Sequence, residues 1–163
     1  MKTIGQPLDF LGVNYYARHH FTDDPGQLWP ATEPIAGPVA KASMCWEIYP
    51  QGLTDVLAEL SRDYIGQTPV YIAENGVAAD DRLIGGAVND PERIDFIQRH
   101  LQAMKRAIDL GVNLKGFFYW SLLDNYEWAL GYEKRFGLVH VDFDTLQRPP
   151  KASYHALAKA LSG

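Results

Sequence analysis

The residue best placed to do chemistry is Glu74, in the stretch Thr68-Pro69-Val70-Tyr71-Ile72-Ala73-Glu74-Asn75-Gly76. Pro69 opens the run, and Val70, Tyr71 and Ile72 are strand formers in a nearly continuous apolar series, as in a parallel strand buried on both faces. Asn75-Gly76 reads as the turn that ends it, which leaves Glu74 as the last strand residue. In barrels of parallel strands that C-terminal rim carries the chemistry. The same residues also describe a solvated glutamate before a turn. Two other stretches set hydrogen-bonding tips and indoles beside carboxylates. Asn14 and Tyr16 project from the end of the apolar run Phe10–Val13, and Trp120 precedes Ser121-Leu122-Leu123-Asp124-Asn125-Tyr126-Glu127-Trp128. Aromatic content is high, with four Trp, nine Tyr and seven Phe, and several of these rings neighbour carboxylates instead of forming plain apolar stripes.

These residues need elements to hold them. Phe10–Val13 reads as a short buried strand, residues 51–64 as a helix with Leu53, Val56, Leu57 and Leu60 on one face, and residues 114–120 as a third strand. Asp90-Pro91 suits the start of a long helix whose apolar face carries Ile94, Ile97, Leu101, Met104 and Ile108, with Gly111 at its end and His100 beside that face. Residues 136–141 suggest a further short strand. Pro149-Pro150 precedes a last helix with Tyr154, Leu157 and Leu161. Residues 17–45, rich in Pro, Gly and Asp and without period, read as one long loop. Strand and helix alternate, so the expected class is α/β with parallel strands.

Composition narrows the function. The 163 residues suit a single domain, 1–163, with 47% hydrophobic content for its core. A net charge of −5 gives no reason to expect nucleic acid or an anionic membrane as partner. The lone cysteine, Cys45, excludes a disulfide framework within the chain and a cysteine-based metal cluster. No cofactor and no metal are expected. The first seven residues lack the apolar core of a signal peptide and no run approaches spanning length, so a cytoplasmic protein is expected.

Six ordered segments carry a resemblance to family 1 glycoside hydrolases, the β-glucosidases and β-galactosidases. They are Asp9–Tyr16, Trp46-Glu47-Ile48-Tyr49-Pro50, Tyr71–Gly76, Trp120–Trp128, Lys134-Arg135-Phe136-Gly137-Leu138 and Arg148-Pro149-Pro150-Lys151. The resemblance implies about the last three βα units of a (β/α)8 barrel. It implies that Glu74 is the catalytic nucleophile and that Tyr16 donates to its carboxylate. It places Asn14 beside them, Glu127 and Trp128 on the glycone hydroxyls, Trp120 beneath the sugar, Phe136 in the same pocket and Trp46 on the aglycone side. The residue types suit the task. A pyranose offers apolar C–H faces to indole and equatorial hydroxyls to a carboxylate, and a retaining mechanism needs a carboxylate to attack the anomeric carbon.

Two departures stand out. Cys45 occupies the place where the family usually has Gly, so crowding against Trp46 is expected. Retaining hydrolysis also needs a second carboxyl group about 5–5.5 Å from the first. The family carries it in an Asn-Glu-Pro motif that does not occur here. Glu47, Glu133 and Asp124 are the available substitutes, and nothing in the sequence favours one. The expected function is therefore the nucleophile half of a retaining β-glycosidase acting on a β-glucoside or related small saccharide. The alternative is a non-catalytic homologue with residual sugar binding. Three strands would leave an inner face, expected to carry Val13, Val70, Ile72 and Phe118, and two open edges. A homo-oligomer, a complementing N-terminal barrel chain or a rearranged compact fold is expected to cover them.

Overall fold

The computed structural model describes residues 5–26, 32–35 and 43–162. The expected loop therefore falls in part, at 27–31 and 36–42, outside the described residues, as do the first four residues of the N-terminus. Three strands, β1 (Leu11–Asn14), β4 (Val70–Asn75) and β5 (Leu114–Tyr119), form one parallel sheet in the order β1-β4-β5. Helices α1 (Pro50–Leu60), α2 (Pro91–Asp109) and α3 (Ala152–Leu161) intervene and follow. The class is α/β with parallel strands in an open sheet, as expected.

Between β1 and α1 the structure departs from expectation. Strands β2 (His20–Asp23) and β3 (Thr32–Ile35) pair antiparallel, with His20 opposite Ile35. Two short stretches of the expected loop, β2 and β3, thus form a two-stranded sheet separate from the main one. Helix α1 ends at Leu60, and a wider turn over Ser61–Ile65 replaces the last turn of the expected helix. No strand runs over 136–141 among the described residues. Val139 instead makes isolated bridges to Leu123 and Pro150.

The core lies on one side of the sheet. Leu53 and Leu57 of α1 and Ala103, Met104 and Ala107 of α2 pack on Val70 and Ile72, with Val13, Leu114 and Phe117 against the same cluster. The buried stripe of α2 runs Arg93, Phe96, Ile97, His100, Ala103, Met104, Ala107, the spacing of one helical face. Ile108, expected on that face, is half exposed. His100, read from the sequence as an edge residue, is fully buried. A second cluster joins Val77, Phe96, Ile97, Leu138 and Leu157 beneath the rim.

This arrangement corrects the expected inner face. Val13, Val70 and Ile72 point under the helices, so they do not line the uncovered side. Only Phe118 of the expected set lies there, 61% exposed, with Phe10 at 58% packed edge-on against Tyr71. Side chains alternate along a strand, so Phe117 in the core puts Phe118 opposite. A run apolar at every position cannot tell which alternate set faces the helices.

Candidate active site

Glu74 stands at the C-terminal end of the middle strand. Its neighbours are fixed mainly by the buried Asn75, which continues β4 where the sequence suggested a turn. The Asn75 side chain donates to the Tyr15 carbonyl at 2.7 Å, and the Asn75 backbone carbonyl accepts from the Trp120 amide at 2.9 Å. The Tyr15 amide in turn reaches the Glu74 carbonyl at 2.9 Å. Three strand ends are thereby tied around one carboxylate. Gly76 permits this, because any Cβ there would overlap the Trp120 carbonyl.

The Tyr16 hydroxyl donates to Glu74 Oε2 at 2.8 Å. Burial, followed by this hydrogen bond and the charges of Glu74 and Glu127, pushes the Tyr16 phenol far above its ordinary range, so it remains a proton donor. Trp46 and Phe136 complete a triangle of rings with Tyr16, at centroid separations of 5.6 Å (Tyr16 to Trp46), 6.4 Å (Tyr16 to Phe136) and 6.3 Å (Trp46 to Phe136). Phe136 is buried and Trp46 half-buried. Asn14 ends β1 in register with Glu74 and is exposed.

Glu127 and Trp128 lie in the segment that follows β5. Glu127 is half-buried, near enough to Tyr16 to act on it by charge, and its Oε2 accepts from Asn125 Nδ2 at 3.3 Å. Trp128 is 83% exposed, and no described aromatic contact holds its indole. The structure thus gathers Glu74, Tyr16, Trp46 and Phe136, sets Asn14, Trp120 and Glu127 around them, and leaves Trp128 in solvent at the edge.

The three substitute acids fare differently. Glu47 is buried, ion-paired with Arg18 at 2.8 Å and within hydrogen-bond distance of His20 Nε2 at 3.1 Å. Asp124 is buried among donors: Lys151 Nζ and Arg135 Nη1 at 2.8 Å, the Gly137 amide at 2.9 Å and the Val141 amide at 3.2 Å. Burial alone would raise the Asp124 carboxyl, but Lys151, Arg135 and the Val141 amide hold it below the usual carboxylate range. It is held in the wrong form to donate a proton. Glu133 is exposed. Among the described residues, no group of three His, Cys, Asp or Glu side chains could hold a metal ion, and no helix is long and apolar enough to cross a membrane.

Cys45 adopts φ +58°, the left-handed region that favours glycine, and its side chain is exposed. The expected crowding is therefore a backbone matter, not a clash.

The sequence model described as Glycosyl hydrolase family 1 matches residues 1–161. Beta-glucosidase A of Acetivibrio thermocellus is 46% identical over 157 residues, which cover 94% of this chain and 35% of that protein. A 1,4-beta-D-glucan glucohydrolase of Thermotoga neapolitana is also 46% identical, with 94% and 34% covered. Among solved structures, the AHE enzyme from Alicyclobacillus herbarius superposes with a TM-score of 0.94 at 40% identity, over 99% of this chain and 36% of the other. The beta-glucosidase from Thermotoga maritima in complex with glucoimidazole gives 0.92 at 40% identity, with the same coverage. The chain spans about a third of the length of these relatives.

Proposed function

The chain belongs to glycosyl hydrolase family 1, and on that premise we propose that it is the nucleophile-bearing part of a retaining β-glucosidase. In this reading residues 1–163 are one domain that forms the last three βα units of a (β/α)8 barrel. The observation that supports it most is the 2.8 Å hydrogen bond from Tyr16 to Glu74 at the C-terminal ends of neighbouring parallel strands.

The chemistry follows from that geometry. Tyr16 occupies Oε2 and steadies the carboxylate, so the other oxygen attacks the anomeric carbon of a β-glucoside. The glycosidic bond breaks as the glycosyl–Glu74 ester forms, and the leaving oxygen takes a proton from the general acid. Water then cleaves the ester with that second residue acting as base, and configuration is retained overall. Trp120 stacks beneath the sugar ring. Asn14, Glu127 and Trp128 bind its hydroxyls, Phe136 lines the pocket, and Trp46 faces the aglycone. The acid/base carboxyl comes from outside this chain, on a complementing N-terminal barrel segment that also covers Phe10, Tyr71 and Phe118. A second copy of the chain is the other candidate for that face.

The test avoids the missing acid. Nitrophenolates depart without a proton, so 2,4-dinitrophenyl 2-deoxy-2-fluoro-β-glucoside needs only the nucleophile. Mass spectrometry is expected to find the fluoroglucosyl group on Glu74, and none in Glu74→Gln. A label elsewhere overturns the assignment. Sugar binding without any label supports the non-catalytic alternative. Because general acid catalysis contributes typically 10²–10⁴-fold, the chain alone is expected to cleave aryl glucosides and to leave cellobiose nearly untouched. Comparable rates on both would place a working acid within it.

A further inference from the structure

Five charged side chains lie almost entirely out of water just beneath this rim. Arg93 and Lys151 are fully buried, and the side chains of Asp81, Asp90 and Asp124 are at most 1% exposed. Lys151 Nζ donates both to Asp124 Oδ1 at 2.8 Å and to Asp81 Oδ2. Asp81 also receives Arg93 at 2.8 and 3.0 Å, and Arg93 pairs with Asp90. Asp90 accepts in turn from the Ser153 hydroxyl at 2.6 Å.

Stability does not explain this cluster. Desolvating ions is costly, and well-packed apolar replacements of similar volume are often neutral or stabilising. What ion pairs add over apolar contacts is direction, because each oxygen and each N–H accepts a partner only along certain lines. The cluster ties the first turns of α2 and α3 to segments that lack regular structure. Asp81 belongs to the loop leaving the Glu74 strand. Asp124 sits midway between Trp120 and Glu127-Trp128. Arg135 and Gly137, both donors to Asp124, flank Phe136. The Ala79 amide and Arg93 Nη2 both reach the Arg135 carbonyl, at 3.2 and 2.8 Å.

We infer that Lys151, through Asp81 and Asp124, is a positioning residue that sets the Trp120–Trp128 loop and Phe136 against the loop of the nucleophile strand. The role given to those sugar-facing residues rests on the proposed function. The placement itself does not, and the two are tested apart. Lys151 touches no substrate. It acts by holding Asp124, whose four donors fix where Phe136 and Glu127 stand relative to Glu74.

The experiment compares amide and indole ¹⁵N–¹H spectra of the full chain with those of Lys151→Met and of the apolar triple variant Asp81→Leu/Asp124→Leu/Lys151→Met. In both variants the amides of Glu127, Trp128 and Phe136 and the Trp120 and Trp128 indoles are expected to move by more than a linewidth. Amides of Val70, Ile72 and Ala103 are expected to stay, and the triple variant to melt no lower than the parent. A triple variant that fails to fold, or shifts spread evenly through sheet and helices, overturns the inference, because the cluster is then plainly structural. Unmoved Glu127, Trp128 and Phe136 signals overturn it as well. A separate titration of the parent chain with glucoimidazole reads the sugar site. Silence at Glu127 and Trp128 there sinks the functional reading and leaves the comparison of variants intact.

Discussion

The two sides of the three-stranded sheet are built from the same kinds of residue and have opposite surroundings. Under the helices, Val70 and Ile72 are 1% and 0% exposed, sealed by Leu53, Leu57, Ala103 and Met104. On the other side Phe10 and Phe118 keep more than half their surface in water, and among the described residues both outer strands lack a further strand partner. Burying apolar surface stabilises by roughly 25 cal/mol per Å². The covered side therefore carries the stability of the fold, while the open side holds that driving force unspent, available to whatever packs there. The candidate site lies at the rim where the two meet. Its carboxylate is held by the Tyr16 hydroxyl on a strand end that Asn75 ties to Tyr15, and of its rings Phe136 is buried while Tyr16 and Trp46 are half-buried.

Cutting into each side gives the largest contrast. Ile72→Ala removes buried methyl groups from a packed cluster and is expected to cost about 2–5 kcal/mol in denaturant unfolding. Phe118→Ser on the same sheet is expected to stay within about 0.5 kcal/mol, as exposed substitutions do. It should also weaken self-association in light scattering, because it removes apolar area from the uncovered face. Equal costs for the two changes would show that the open face is covered in the isolated chain. A monodisperse species of the 18.3 kDa chain mass with no dye-detectable apolar surface would show the same.

That contrast also marks what the sequence could and could not disclose. The position of Glu74 near a strand end was legible because Pro69 and the Val-Tyr-Ile run mark a strand and Gly76 lies just past its last residue. Helix α2 was legible from Asp90-Pro91 at one end and Gly111, with φ +93°, at the other. Which face of β4 meets the helices was not, because Val70 to Ala73 are apolar on both alternate sets. Asn75 reads locally as part of a turn yet continues β4, since nothing local shows that its side chain bridges to Tyr15. The ion cluster joins Asp81 to Lys151 across 70 residues, beyond any local period. One sign of it was available: Arg93 falls on the same helical stripe as Phe96, Ile97 and His100, and a charge on a buried stripe needs a partner.

Acid probes the covered side through His100. His100 is buried, stacked on Phe96 at 3.9 Å, with Nδ1 2.8 Å from the Phe96 carbonyl. Burial is the main reason its pKa falls from 6.5 to about 4. The sign follows from proton uptake. Between those values the unfolded chain binds a proton that the folded chain refuses. Stability from this group is complete above pH about 6.5 and is lost as pH falls toward 4, by about 3 kcal/mol in all. His100→Phe is expected to flatten that part of the stability profile measured by urea unfolding. An unchanged slope would assign the acid limb to other groups, such as Asp124, whose lowered carboxyl titrates at still lower pH.

The smallest effect sharpens the view of the rim. Cys45 is exposed and holds φ +58°, next to the indole that faces Tyr16 and Phe136. A left-handed backbone costs an L-residue with a Cβ roughly 1–2 kcal/mol, and glycine escapes that cost. Glycine in turn loses more freedom on folding, by roughly 0.5–1 kcal/mol. The side chain itself contributes little, because it buries little. Cys45→Gly is therefore expected to raise stability by about 0.5–1 kcal/mol, read as a higher urea midpoint at unchanged m value. The corresponding change in the dry cluster, Ala103→Gly, has no strain to relieve and is expected to destabilise through lost helix propensity and packing. A fall in stability for Cys45→Gly would mean that the thiol makes a contact at the rim, and that this edge of the site is packed as closely as the covered side.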